Sequence, residues 1–95
     1  MNIWYVYILR CADDTLYTGV TTDPQRRLDE HNHDNRLAAR YTRSRRPLTL
    51  VYQEQCADRS QACRREHEIR QLSRHEKEQL IKKYTLQSKK SRSAS

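Results

Sequence analysis

The chain has 95 residues, 35% hydrophobic and 33% charged, with a formal net charge of +7 and a mean hydropathy of -1.16. That length suits one domain whose small core is drawn from a few dense apolar runs. It contains nothing approaching the roughly 18 apolar residues of a membrane span, and the first residues show neither the basic segment nor the cleavage site of a signal peptide.

Ile3 to Arg10 is nearly continuous in apolar and aromatic residues, which predicts a strand buried on both faces. Ala12-Asp13-Asp14-Thr15 is turn-like, because aspartate side chains bond nearby backbone groups. Leu16 to Val20 predicts a second strand and so a hairpin. Asp23-Pro24 is an N-cap followed by proline at the first helical position, and a helix is expected from Pro24 to His33. Asn35 to Arg46 is expected to be a basic loop, closed by Pro47. Leu48 to Tyr52 predicts a third strand. Asp58 or Ser60 caps a second helix running to about Leu72, and Ser73 to Tyr84 carries Leu80, Ile81 and Tyr84 at helical spacing. Residues 86–95 are polar, basic and low in complexity, which predicts a disordered tail. The expectation is an α/β domain over residues 1–85, with a small, mostly antiparallel three-stranded sheet flanked by helices in the order ββαβαα.

Charge and cysteine usage narrow the function. Residues 1–35 sum to -3, whereas 36–46 hold Arg36, Arg40, Arg43, Arg45 and Arg46 without an acid. Clustered arginine suits a polyanion, because the guanidinium grips phosphate bidentately and phosphate neutralisation dominates affinity. Tyr41, interleaved among these arginines, offers a stacking surface. The expected partner is nucleic acid, DNA in the first place, and no membrane. Cys11, Cys56 and Cys63 are odd in number and form no C-x-x-C pair, which fits a reducing compartment, the cytoplasm. Cys63 and His67 lie i, i+4 on one helix face, but without paired spacings a zinc site there is a weak reading.

The only glycine, Gly19, falls inside the second strand, where glycine marks a bulge or a close approach of a backbone or ligand. Tyr5-Val6-Tyr7, Tyr17-Thr18-Gly19, Arg27, His31 and Glu66, in that order and spacing, resemble the GIY-YIG nuclease superfamily and in particular its small stand-alone bacterial branch. The likeness runs from about Trp4 to about Tyr84. Departures are Tyr5 at the first motif's glycine, Thr18 within the second, and Val20 where some members carry lysine. Asparagine is also absent after Asn35, although larger family nucleases use a late one.

The resemblance implies a metal-dependent endonuclease that hydrolyses phosphodiester bonds in DNA or structured nucleic acid. It implies that Glu66 holds one Mg²⁺ or Mn²⁺, and that Arg27 binds the scissile phosphate. It also puts Tyr7 and Tyr17 in the site, one of them as general base, with His31 near the attacking water and a phosphate backbone passing close to Gly19. Read from the residues alone, Glu66 is equally an i, i+4 partner of Arg70, and Arg26 pairs with Glu30. His31 is then a half-exposed histidine at a helix end. Side chains alternate along strands, so an odd loop count puts Tyr7 and Tyr17 on one face, whereas a two-residue turn at Asp13-Asp14 separates them. The other function class is a nucleic-acid-binding module that keeps this fold without efficient chemistry.

Overall fold

The computed structural model describes residues 3–93, with side chains as far as Gln87. β1 (Trp4–Arg10) is the central strand, and its apolar run leaves neither face to water. Val6, Ile8 and Leu9 are fully buried and Tyr7 is 1% exposed. β2 (Leu16–Thr21) and β3 (Thr49–Cys56) pair with it antiparallel in the order β2-β1-β3. This is the three-stranded α/β architecture that the sequence predicts.

Alternation along β1 divides the core into two layers. Tyr7 and Leu9 face α1 (Pro24–His33) and pack with Cys11, Leu28, Leu48 and Leu50. Val6 and Ile8 face α3 (Arg59–Arg70) and α4 (Arg74–Ser93), where they meet Ala62, Ile69 and Ile81. Each large side chain buried this way stabilises the fold by about 1.5–3 kcal/mol. Cys11 and Cys56 belong to opposite layers.

Both predicted caps are present. Asp23 Oδ1 accepts the Arg26 N–H at 3.1 Å, with Pro24 opening α1, and Asp58 Oδ1 accepts the Gln61 N–H at 2.8 Å. Three expectations need correction. Arg40–Arg43 forms a short helix, α2, inside the segment read as a loop. β3 continues past Tyr52 to Cys56, because pairing with buried β1 carries Gln53, Glu54 and Gln55 as strand despite their polarity. A bulge shifts the register there, so that Tyr52 opposes Ile8 while Leu50 opposes Leu9. Those two side chains thereby serve opposite layers.

The third correction is that α4 runs to Ser93 through most of the segment read as a disordered tail; residues 94–95 lie outside the described residues. The start of α4 is tied to the sheet by Arg10, which donates to both carboxylate oxygens of Glu78 at 2.7 and 2.9 Å. Arg74 adds bonds to Glu78 and to Asp14. The two guanidinium groups hold the Glu78 pKa down at about 2.

Candidate active site

The hairpin loop decides whether the two tyrosines can act together. It comprises the five residues Cys11–Thr15, an odd number, and so Tyr7 opposes Gly19 while Leu9 opposes Tyr17. Tyr7 and Tyr17 therefore share the α1 face. Asp13 and Asp14 shape this loop. Asp13 Oδ1 accepts from the Thr15 N–H and hydroxyl, and Asp14 takes a φ of 68°, a region aspartate enters more readily than most residues.

Gly19 is explained by Tyr7. A β-carbon built on Gly19 would stand 2.5 Å from the Tyr7 Oη, 2.7 Å from Cζ and 3.0 Å from Cε1. The protein's own phenol thus makes a close approach at the lone glycine. Glycine leaves room for the end of the Tyr7 ring and its hydroxyl over β2.

That hydroxyl meets His31, whose Nε2 is 3.0 Å away. His31 is fully buried, which corrects its reading as a half-exposed helix-end residue. Its Nδ1 lies 2.8 Å from Thr42 Oγ1, and the Thr42 hydroxyl lies 3.0 Å from the Ala39 carbonyl. A hydroxyl carries one proton, and a carbonyl only accepts. Donation from Thr42 to Ala39 therefore makes Oγ1 the acceptor for Nδ1–H, and Nε2 is left to accept from Tyr7. The Ala39 N–H also points at Nδ1, but at 3.5 Å it is the longest contact of the set.

The pKa values fit this assignment. Burial, helped by the positive charge of Arg27, lowers His31 to about 4, so the ring is neutral near pH 7. Burial also raises Tyr7 to about 12. The neighbouring Tyr17 and Glu66 push the same way, and Arg27 opposes them. Tyr7 thus lies within the electrostatic reach of Tyr17, Arg27 and Glu66 at once. The Tyr17 ring stands edge-on to His31, with centroids 5.2 Å apart.

Arg27 is anchored from one end. Its Nη1 donates to Glu30 Oε1 at 3.0 Å and to the Leu37 carbonyl at 2.7 Å. The guanidinium also lies within hydrogen-bonding reach of the Tyr7 phenol, which ties it to the tyrosine face. Glu30 also takes Arg26, at 3.7 Å, as the i, i+4 spacing predicts. Glu66 is half-buried, on the α3 stripe that contains Ala62 and Ile69, both fully buried. The expected alternative pairing with Arg70 is absent, and among the described residues Glu66 forms no ion pair at all.

No group of three or more His, Cys, Asp or Glu side chains gathers among the described residues. A lone carboxylate still fits a hard ion such as Mg²⁺, which keeps several waters and binds through one or two carboxylates plus substrate phosphate. It does not fit a closed four-ligand zinc site.

The basic segment divides sharply. Arg46 braces the end of α1, donating to the His31 carbonyl at 2.7 Å, to Asn35 Oδ1 at 2.9 Å and to the Asp34 carbonyl at 3.3 Å. Arg45 joins Asp13 at 3.0 Å and the Tyr41 carbonyl at 2.7 Å, and covers the Tyr41 ring at 3.9 Å. Tyr41 stacks against Tyr17 with centroids 6.1 Å apart. Arg45, Arg46 and Tyr41 thus all make contacts within the protein, while Tyr41 stays 39% exposed. Arg43 makes one bond, to the Asn35 carbonyl, while Arg36 and Arg40 are exposed with no side-chain partner among the described residues.

Sequence reasoning missed Thr42 and the contact of Glu30 with Arg27. Glu30 was accessible from its i, i+3 spacing to Arg27. Thr42 left no local signal, because only the tertiary fold brings α2 against His31.

A family profile described as the GIY-YIG catalytic domain matches residues 3–80. A UPF0213 protein of Desulfotalea psychrophila is 58% identical over 79 residues, which cover 83% of this chain and 71% of that protein. One from Staphylococcus haemolyticus is 48% identical, covering 81% and 92%. Among solved structures, that of a UPF0213 protein from Bacillus halodurans has a TM-score of 0.54 at 44% identity, covering 84% and 83% of the chains. A protein from E. faecalis has a TM-score of 0.59 at 38% identity, covering 90% of each. The chain thus belongs to the GIY-YIG domain family.

Proposed function

We propose that the protein is a metal-dependent endonuclease that hydrolyses phosphodiester bonds in DNA, working in the cytoplasm. The observation that carries this reading is the half-buried, unpaired Glu66 within electrostatic reach of the hydrogen-bonded Tyr7–His31 pair. An uncompensated carboxylate there has a ready use as a ligand for Mg²⁺ or Mn²⁺. When bound, the ion polarises the phosphate and stabilises the leaving oxygen.

The protein's own groups supply the rest. The Arg27 guanidinium binds the scissile phosphate and offsets the charge that develops on it. Tyr17, half-buried on the same face, orders the attacking water. The water's proton passes to Tyr7 Oη as the Tyr7 proton passes to His31 Nε2. His31 is sealed from solvent, so it acts through Tyr7 and not on water directly. Its low pKa keeps Nε2 unprotonated at neutral pH, and the Nδ1–H held by Thr42 keeps that lone pair aimed at the phenol. Arg36 and Arg40 remain the substrate contacts of the basic segment.

Cleavage of single-stranded, duplex and branched DNA, with and without Mg²⁺ or Mn²⁺, tests this reading. Glu66→Ala and Arg27→Ala are each expected to reduce cleavage at least a hundredfold with an unchanged circular-dichroism spectrum. Wild-type rates in Glu66→Ala would overturn the mechanism. Salt-dependent binding with no cleavage of any substrate would favour a binding module instead.

A further inference from the structure

A cleft of about 270 Å³ opens beside the site, lined by Leu16, Tyr17, Thr18, Tyr41, Arg70 and Lys77. Tyr17 is a wall of both, so the two are continuous. Arg70 follows Glu66 by one helical turn on the same side of α3. Lys77 reaches in from α4.

Neither cation forms an ion pair among the described residues, and the nearby acids of α4 are engaged elsewhere. Glu78 is held by Arg10 and Arg74, and Glu76 accepts from the Ser73 N–H at 2.9 Å. The cleft therefore presents two positive charges with no acid in its lining. Its volume falls below the roughly 300–1,000 Å³ of pockets that enclose a whole small ligand. A cleft of this size, open to the catalytic face, fits one part of a long polyanion.

Granting the nuclease reading above, we propose that this cleft is the track for the DNA strand next to the scissile phosphate, with Arg70 and Lys77 each neutralising a flanking phosphate. The basic segment Arg36–Arg46 is then not the principal seat of the strand. The main run of substrate contacts lies along α3 and the start of α4.

The test is metal-free binding of short fluorescein-labelled DNA, single-stranded and duplex, measured by anisotropy over a salt series. Using Glu66→Ala as the parent protein excludes cleavage. Each of Arg70→Ala and Lys77→Ala is expected to weaken binding and to reduce the slope of log affinity against log salt by about one. Arg70→Lys, which retains the charge, is expected to restore the slope. Parental slopes in both alanine variants would overturn the proposal while leaving the nuclease reading intact, since that rests on cleavage by protein with Glu66 present. A loss of slope in Arg36→Ala or Arg40→Ala but in neither cleft variant would overturn it in favour of the basic segment. No binding by the parent to either DNA would likewise overturn the proposal, the nuclease reading being decided separately by the metal-dependent cleavage assay.

Discussion

Replacing Gly19 with alanine is the sharpest internal test of the site. The added methyl group would stand 2.5–3.0 Å from three atoms of the Tyr7 side chain, against an optimal separation of roughly 3.5–4.0 Å between carbon atoms. A flexible neighbour would simply move aside. Tyr7 cannot, because its ring is rigid, 1% exposed, and held by the bond to His31. Overpacking of this kind costs about 1–3 kcal/mol, and losing the phenol–imidazole bond adds about 0.5–1.5 kcal/mol. Restricting the unfolded chain returns about 0.4–1 kcal/mol. The net expectation is a loss of about 1–3 kcal/mol, or roughly 5–20 °C in Tm for a domain of this size. Thermal unfolding of Gly19→Ala, Tyr7→Leu and the double variant would measure it. The alanine penalty should largely vanish in the Tyr7→Leu background, where the ring is gone, giving a coupling energy well above the roughly 0.5 kcal/mol of independent sites. An equal penalty in both backgrounds, or a neutral Gly19→Ala, would refute the account of the lone glycine.

Stability should fall as pH drops from about 6.5 to about 4, because the unfolded chain then binds a proton that folded His31, with its pKa lowered to about 4, refuses. This contribution is complete above pH 6.5. Urea unfolding across that range should show the slope in the wild type and a flatter one in His31→Gln; parallel curves would dissociate His31 from it. Thr42→Val should leave Nδ1–H buried without a partner, at a cost of about 1–3 kcal/mol, and should slow cleavage tenfold or more. Thr42→Ser should restore both, and the ¹⁵N shifts of His31 should report protonation at Nδ1 in the wild type but a mixture of tautomers in Thr42→Val.

Much of the frame was legible because it is written locally. The unbroken apolar run of β1, the Asp23-Pro24 start of α1 and the Asp58 cap of α3 each carry their cause within a few residues. What escaped depends on distant partners. Nothing near His31 announces that Thr42 will cover it, and nothing near Arg45 announces Asp13, 32 residues earlier in the chain. A cluster of arginines looks the same in a sequence whether it meets a phosphate or a carbonyl. The polar end of β3 was lost for a related reason, since its strand character comes from its neighbour and not from its own alternation.

Helix α2 is only four residues long, yet its two central side chains face two different parts of the site. Tyr41 leans on Tyr17, and Thr42 holds His31. Arg45 and Arg46 fasten the same stretch to the hairpin loop and to the end of α1. The stretch is therefore a keystone and not an appendage. On the proposed mechanism, a graft that exchanged it to retune affinity would also loosen His31, so recognition and turnover are expected to change together at this corner of the molecule.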